Sequence, residues 1–316
     1  MRAILSIVPG RKTIASCSIA SMLVVAGCAG VGSGGPAEGD ADAASASALA
    51  VVASFYPLAY AVERVGGDAV SVTDLTPPGT EPHDLELTPD DLVSIAEADV
   101  VVYLGDGFQP VVEDAVGAEA TGTTVDAFAA VEPLPASSGD GGADPHVWLD
   151  PTLFAEIVDA VAAALGETRP ADAPRFLANA RSVREDLATL DREFRRGLAE
   201  CASRVLITNH AAFGYLAAAY DLRQEAISGL SPESEPDAAR IAMLAAEAQA
   251  AGVTTVFTED LISPEVAESL AAEAGLETAV LSPLEGLTDV QIAAGEDYLS
   301  VMRRNLEVLR GGLDCA

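Results

Sequence analysis

The chain has 316 residues, half of them apolar, enough to bury one large core or two ordinary ones, and this excludes a disordered protein. Its formal net charge of −32 repels phosphate backbones and anionic membrane surfaces, so no nucleic-acid partner is expected, whereas a cationic ligand is electrostatically welcome.

At the N-terminus Arg2, Arg11 and Lys12 lead into the apolar stretch IASCSIASMLVVAGC, which is too short to be a good membrane span. A charged segment followed by such a stretch reads as a secretory signal over residues 1–27. It closes on Val25, Ala26, Gly27 and Cys28, which resemble the bacterial lipobox, so Cys28 is expected to carry lipid. Residues 28–48, rich in Gly, Ser and Ala, then read as a flexible tether to the outer face of the cell membrane. Cys17 is lost with the signal on this reading, and the leftover pair Cys201 and Cys315 is expected to form a disulfide, as suits an exported protein.

From Leu49 short β-branched runs alternate with alanine-rich helical stretches, the pattern of an α/β fold with mainly parallel sheets. LAVVASF, AVSVTDL, VVVYL and TTVDAF read as strands, with helices around LAYAVERVGG and PDDLVSIAEA; Thr88 and Pro89 supply the cap and first position of the latter. A helix from about Thr152 to Leu165 follows. Between Asp172 and Glu200 the apolar residues Phe176, Val183, Leu187, Leu190, Phe194 and Leu198 recur near helical spacing among dense charge, which predicts one long amphipathic helix. The alternation then restarts with RVLIT, EAI, TTVFT and TAVL as strands and intervening helices, the last ending near Leu309. The predicted organisation is an N-terminal lobe over 49–168, a linking helix over 169–200 and a C-terminal lobe over 201–316. Neither a phosphate-binding glycine loop nor a G-x-S-x-G elbow is present.

The three histidines, His83, His146 and His210, all follow predicted strands, where ligand groups gather in open α/β sheets. Three imidazoles on one cation favour zinc, copper or nickel over magnesium, calcium and manganese, which prefer oxygen. Glu259 in TTVFTEDL and Glu285 in TAVLSPLEGLTD each lie just beyond an apolar strand and qualify equally as a fourth ligand. Asp144 and Asp150, on either side of His146, are candidates to accept an imidazole N–H, although Asp150 suits better the cap of the helix that follows. Trp148 is expected to pack against the strand ends and keep the site dry.

SFYPLAY, PPGTEPHDLELTPDDL, DPHVWLDP, LITNHAAFGYLA, GLSPESEPD and LSPLEGL resemble, in that order, the zinc-type solute-binding lipoproteins of ABC transporters. The resemblance runs from about Leu49 to the C-terminus and implies two α/β lobes on one long helix with the metal between them. It implies metal ligands at His83, His146 and His210, and it selects Glu285 over Glu259 as the fourth; Glu259 becomes an acid supporting the site or the lobe interface. A histidine at position 210, where manganese-type relatives carry glutamate, argues for Zn2+. The stretch PLPASSGDGGAD departs from zinc members that carry a His-rich loop there, so a metal-collecting role for it is not expected. The implied partners are a membrane permease with its ATPase, the chain acting as a monomer on its lipid anchor. Four protein ligands leave no place for an activated water, so capture and not catalysis is expected. An exported zinc hydrolase with an open three-histidine site, and a zinc-binding adhesin or storage lipoprotein, are the alternatives.

Overall fold

The structure is a computed structural model that describes residues 47–136, 142–232 and 236–316. The signal segment, Cys28, nearly all of the tether and the middle of the glycine-rich run before His146 lie outside these residues. Residues 46–316 form one compact unit, and no helix among the described residues is long and apolar enough to cross a membrane.

The first half runs through β1 (Leu49–Ala53), α1 (Tyr56–Gly66), β2 (Val70–Asp74), α2 (Pro89–Glu97), β3 (Val100–Tyr103), α3 (Pro110–Glu119) and β4 (Thr123–Asp126). Two long helices follow, α4 (Pro151–Thr168) and α5 (Ala173–Gly197). The second half runs through β5 (Val205–Thr208), α6 (Gly214–Ala219), β6 (Arg223–Ala226), α7 (Ala238–Ala251), β7 (Thr255–Thr258) and α8 (Glu265–Ala274). It ends with β8 (Glu277–Val280), α9 (Asp289–Ala293) and α10 (Tyr298–Gly312). The strands form two parallel four-stranded sheets of the same topology, β2-β1-β3-β4 and β6-β5-β7-β8. This is the expected fold class, two parallel sheets flanked by helices.

Local chemistry explains most of the boundaries. Thr88 forms a capping box with Asp91 and Pro89 opens α2, while Asp150 accepts from the Thr152 amide and Pro151 opens α4, so Asp150 takes the capping role. Helices α7 and α8 stop at Gly252 and Gly275, both in the left-handed conformation that glycine adopts without strain. Helix α5 spans 25 residues and buries Phe176, Ala180, Val183, Leu187, Leu190 and Phe194 along one face. That face packs on α1, α4 and α10, and the core it joins includes residues of both halves. Separate apolar clusters lie under α2 and α3 behind the first sheet and under α7 and α8 behind the second, so both sheets are covered on both faces.

Two helices were not read from the sequence. Helix α3 carries valines and Gly117, poor helix formers, and only the spacing of Val112, Ala115 and Val116 betrays its buried face. Helix α9 has five residues, too few for periodicity to register. Strand β6 begins earlier than expected, at Arg223, because this edge strand is polar and only part-buried.

Cys201 and Cys315 are joined by a disulfide across 114 residues, beside the backbone bonds from Ser203 to Leu313 and from Ala316 to Glu200. The bridge therefore closes the second half on itself. In the chain-entropy account a loop of that size stabilises by about 4–5 kcal/mol. The Cys201→Ser/Cys315→Ser variant is expected to unfold at clearly lower urea concentration than the parent, and fluorescence of the single, fully buried Trp148 reports the transition.

Candidate metal centre

Each histidine arrives on a braced piece of backbone. His83 sits in a 3-10 turn, Pro82–Asp84, beyond β2; Gln109 donates through Nε2 to the Pro82 carbonyl at 3.2 Å, and the His83 ring meets Phe108 edge-on with centroids 4.7 Å apart. His146 precedes the 3-10 turn Val147–Leu149, and one oxygen of Asp144 accepts from both its backbone N–H, at 3.0 Å, and its Nδ1, at 2.8 Å. His210 follows β5 and is held in the same way by Glu259, which accepts from its backbone N–H at 3.1 Å and its Nδ1 at 2.8 Å. An Nδ1–H given to a carboxylate leaves Nε2 as the free donor atom, and in both imidazoles that nitrogen faces Glu285.

The fourth side chain, Glu285, comes from the loop after β8. Leu284 just before it has φ of 56°, a left-handed backbone that a branched residue adopts only under strain. The loop is fastened on both sides. Asn305 of α10 accepts from the Ser282 amide at 3.0 Å and donates to its carbonyl at 2.7 Å, while Trp148 donates through Nε1 to the Pro283 carbonyl at 2.8 Å. The Tyr298 hydroxyl donates to the Trp148 carbonyl at 2.6 Å. The corner that carries His146 and the loop that carries Glu285 are thus bonded to each other and to α10.

These supports bring His83, His146, His210 and Glu285 together, with one ligand atom from each inside a 4.8 Å span. Oε1 of Glu285 lies 3.3 Å from Nε2 of His83, 3.2 Å from that of His146 and 3.3 Å from that of His210, and the last two nitrogens are 3.4 Å apart. Ligands about 2.0–2.1 Å from a tetrahedral zinc stand about 3.3–3.4 Å from one another, so these four separations have the length of such a shell's edges. His146 and His210 are fully buried and Glu285 is 1 % exposed, whereas the His83 side chain retains 9 %.

Charge follows from the same contacts. Burial opposes ionisation of Glu285, yet the charge of His210 and hydrogen bonds from all three imidazoles outweigh it and hold the carboxyl well below its ordinary range. Burial likewise disfavours protonated His146 and His210, but Asp144, Glu259 and Glu285 overcome it, raising His146 and carrying His210 well above the usual value. For His83 burial prevails and its pKa is lowered. Glu81, which the sequence did not single out, is pushed up to about 8, first by burial and then by the charge of Glu285.

The two acids that the strand pattern left equal differ in place: Glu285 meets all three Nε2 atoms, and Glu259 lies behind His210. Trp148 packs on the His146 ring and on Phe55 and Phe108, the packing expected of it. Gly214 was not foreseen. A Cβ there would overlap Oδ2 of Asp144, a close approach across 70 positions that no local pattern announces.

The family model of zinc-uptake complex component A, periplasmic (ZnuA), matches residues 51–312. The zinc-binding protein AdcA of Streptococcus pyogenes serotype M1 is 36% identical over 290 residues, covering 84% of this chain and 56% of that protein. The high-affinity zinc uptake system protein ZnuA of Bacillus subtilis strain 168 is 32% identical over 319 residues, covering 96% and 97%. The crystal structure of Zn(II)-bound AdcA from Streptococcus pneumoniae superposes with a TM-score of 0.74 at 36% identity, covering 84% of this chain and 58% of that one. The chain therefore spans little more than half the length of the AdcA proteins.

Removing an acid that orients a metal-bound imidazole generally weakens metal binding about 10- to 100-fold. Asp144→Ala and Glu259→Ala are expected to lose affinity in that range in a chelator-competition titration, and Gly214→Ala to lose it in the same direction by displacing Asp144.

Proposed function

The chain belongs to the family of periplasmic zinc-uptake components, and on that premise we propose that it captures one Zn2+ between its two lobes with His83, His146, His210 and Glu285 and passes it to an ABC-type permease driven by its ATPase. The observation that carries this reading is the convergence of three Nε2 atoms on one oxygen of Glu285 in a nearly dry interior. The ligands come from the N-terminal lobe, residues 49–168, and the C-terminal lobe, residues 201–316, on either side of the linking helix within 169–200. Lipidation of Cys28 would keep this monomeric body at the outer face of the membrane, where cation and permease are both met.

The donor set decides which cation is kept. Three imidazoles and a single carboxylate suit zinc, and they offer too few oxygens for calcium or magnesium. The same set argues for capture over catalysis. A hydrolytic zinc site keeps one position for water, whereas here the fourth position is filled by a carboxylate that touches all three imidazoles.

Binding must displace protons. His146 and His210 have raised pKa values, so they stay protonated to higher pH than free imidazoles, and the cation competes with those protons. Zinc affinity is therefore expected to rise with pH through neutrality and to fall as pH drops. At pH 7 the calorimetric heat of binding should depend on the ionisation heat of the buffer, with a net release of about one proton or more. A heat independent of buffer would contradict the proton-bearing pair.

The direct test is metal analysis with chelator competition on the purified protein and on Glu285→Ala. One tightly held zinc per chain, preferred over manganese, is expected. The variant should bind at least about 100-fold more weakly, since loss of a mere orienting partner already costs up to that much. Undiminished affinity in Glu285→Ala would overturn the four-ligand shell, and zinc-dependent ester or peptide hydrolysis by the parent would overturn capture as its role.

A further inference from the structure

One carboxylate beside the centre is used neither as one of the four ligands nor as a support behind them. Glu81 precedes His83 by two residues, its side chain is only 13 % exposed, and neither of its oxygens has a hydrogen-bond partner among the described residues. Burying a carboxylate without a partner is costly, so its place calls for a reason other than packing. Its Oε1 stands 3.9 Å from Nε2 of His83, the same nitrogen that faces Glu285 at 3.3 Å. Two bonds of about 2 Å to a shared zinc span up to about 4 Å, so one cation can bridge Glu81 and His83.

The surroundings of Glu81 give that bridge a direction. A cavity of about 360 Å³ is lined by Glu81 and Asp84, on either side of His83, and by Asn209, Ser228, Leu261 and Ser263 from the second lobe. His83 is the most exposed of the four candidate ligands. Glu81 lines this cavity and none of the four candidate ligands does, so a cation entering from it meets Glu81 first, with His83 two residues further along the chain.

We propose that Glu81 is the entry ligand for the metal. Its carboxylate replaces one water of a hydrated divalent cation in the cavity, holds it against Nε2 of His83, and is itself displaced as the buried ligands close the tetrahedral shell; release runs through the same steps in reverse. A carboxylate suits the task. Oxygen, a weaker partner for zinc than the waiting imidazoles, can take the cation first and let it go again. Glu81 thereby sets how fast metal exchanges while leaving the affinity of the closed site almost untouched. This inference rests on the reading of His83, His146, His210 and Glu285 as the zinc site.

Stopped-flow mixing of zinc with the metal-free protein, and chelator-driven release from the loaded protein, measure both rates, and equilibrium competition measures affinity independently. For Glu81→Gln, association and dissociation should each slow about fivefold or more while affinity shifts by less than about threefold. Glu81→Asp should recover part of both rates. Asp84→Asn removes an exposed charge from the same cavity and should leave both rates within about twofold, separating the ligand from a general effect of charge. Unchanged rates in Glu81→Gln would overturn the proposal, and so would an affinity loss as large as that of Glu285→Ala, which would make Glu81 a permanent ligand. Failure of the parent itself to bind zinc at equilibrium would overturn the site reading beneath it, a result distinct from either of these.

Discussion

The structure turns on the carboxylate of Glu285, an anion with 1 % of its surface exposed in a largely apolar interior. An uncompensated charge at such a depth costs several kcal/mol even after relaxation. The compensation is three imidazole nitrogens, and each imidazole then has to be oriented in turn. Asp144 and Glu259 do this for His146 and His210 by gripping ring and backbone together, which fixes the tautomer as well as the direction. His83 is held by the backbone of its short turn and by the ring of Phe108. The three buried acids carry more negative charge than neutral imidazoles can offset. A dication reduces that burden from three charges to one, while a single proton on either His146 or His210 reduces it by less.

The fold meets this demand because two sheets of identical strand order send their following loops to one cluster of side chains. In each sheet the chain reverses its direction of growth at the central pair of strands, and the crevice at their carboxyl ends is where side chains from neighbouring loops can meet. His210 and Glu259 leave the adjacent strands β5 and β7 at such a point, which is why they reach each other. His83 and His146 approach from the other sheet, and the bonds from Trp148 to Pro283 and from Tyr298 to Trp148 lock the two approaches together. Helix α10 therefore matters to the site although it supplies no ligand. Its Asn305 fixes the loop that aims Glu285, and its Tyr298 fixes the corner behind His146.

Much of this was legible in the amino-acid order. Apolar strand runs, Thr88 with Pro89 and the long stripe from Phe176 to Leu198 are local signals, and they placed the sheets and the helix between them. The histidines stood out because the chain has only three and each follows a strand. The choice between Glu259 and Glu285 was not open to local reasoning. Both follow an apolar strand, and what separates them is the left-handed turn at Leu284 and the clamp on Ser282, a tertiary arrangement. Glu81, Gln109 and Gly214 were invisible for the same reason: each acts through a contact that exists only once distant segments have met. Helix α3 escaped because valine and glycine weaken its propensity while tertiary burial of Val112 and Val116 overrides them.

The proposed capture of zinc divides attraction and selection between different parts of the molecule. The strongly acidic surface concentrates every cation near the protein, without regard to kind, and salt screens that field beyond about 10 Å. Calcium and magnesium, hard cations that such a field gathers as well, need six or more oxygens or retained waters. The proposed site offers three nitrogens and one oxygen, so a hard cation that enters loses more hydration than the ligands replace. Selection on this view comes from mismatch as much as from affinity. It also explains why the pocket must be rigid. If the clamps on Ser282 and Pro283 were loose, the carboxylates of Glu81 and Glu285 could swing together around a larger, oxygen-seeking ion, and the discrimination that the imidazoles provide would be lost.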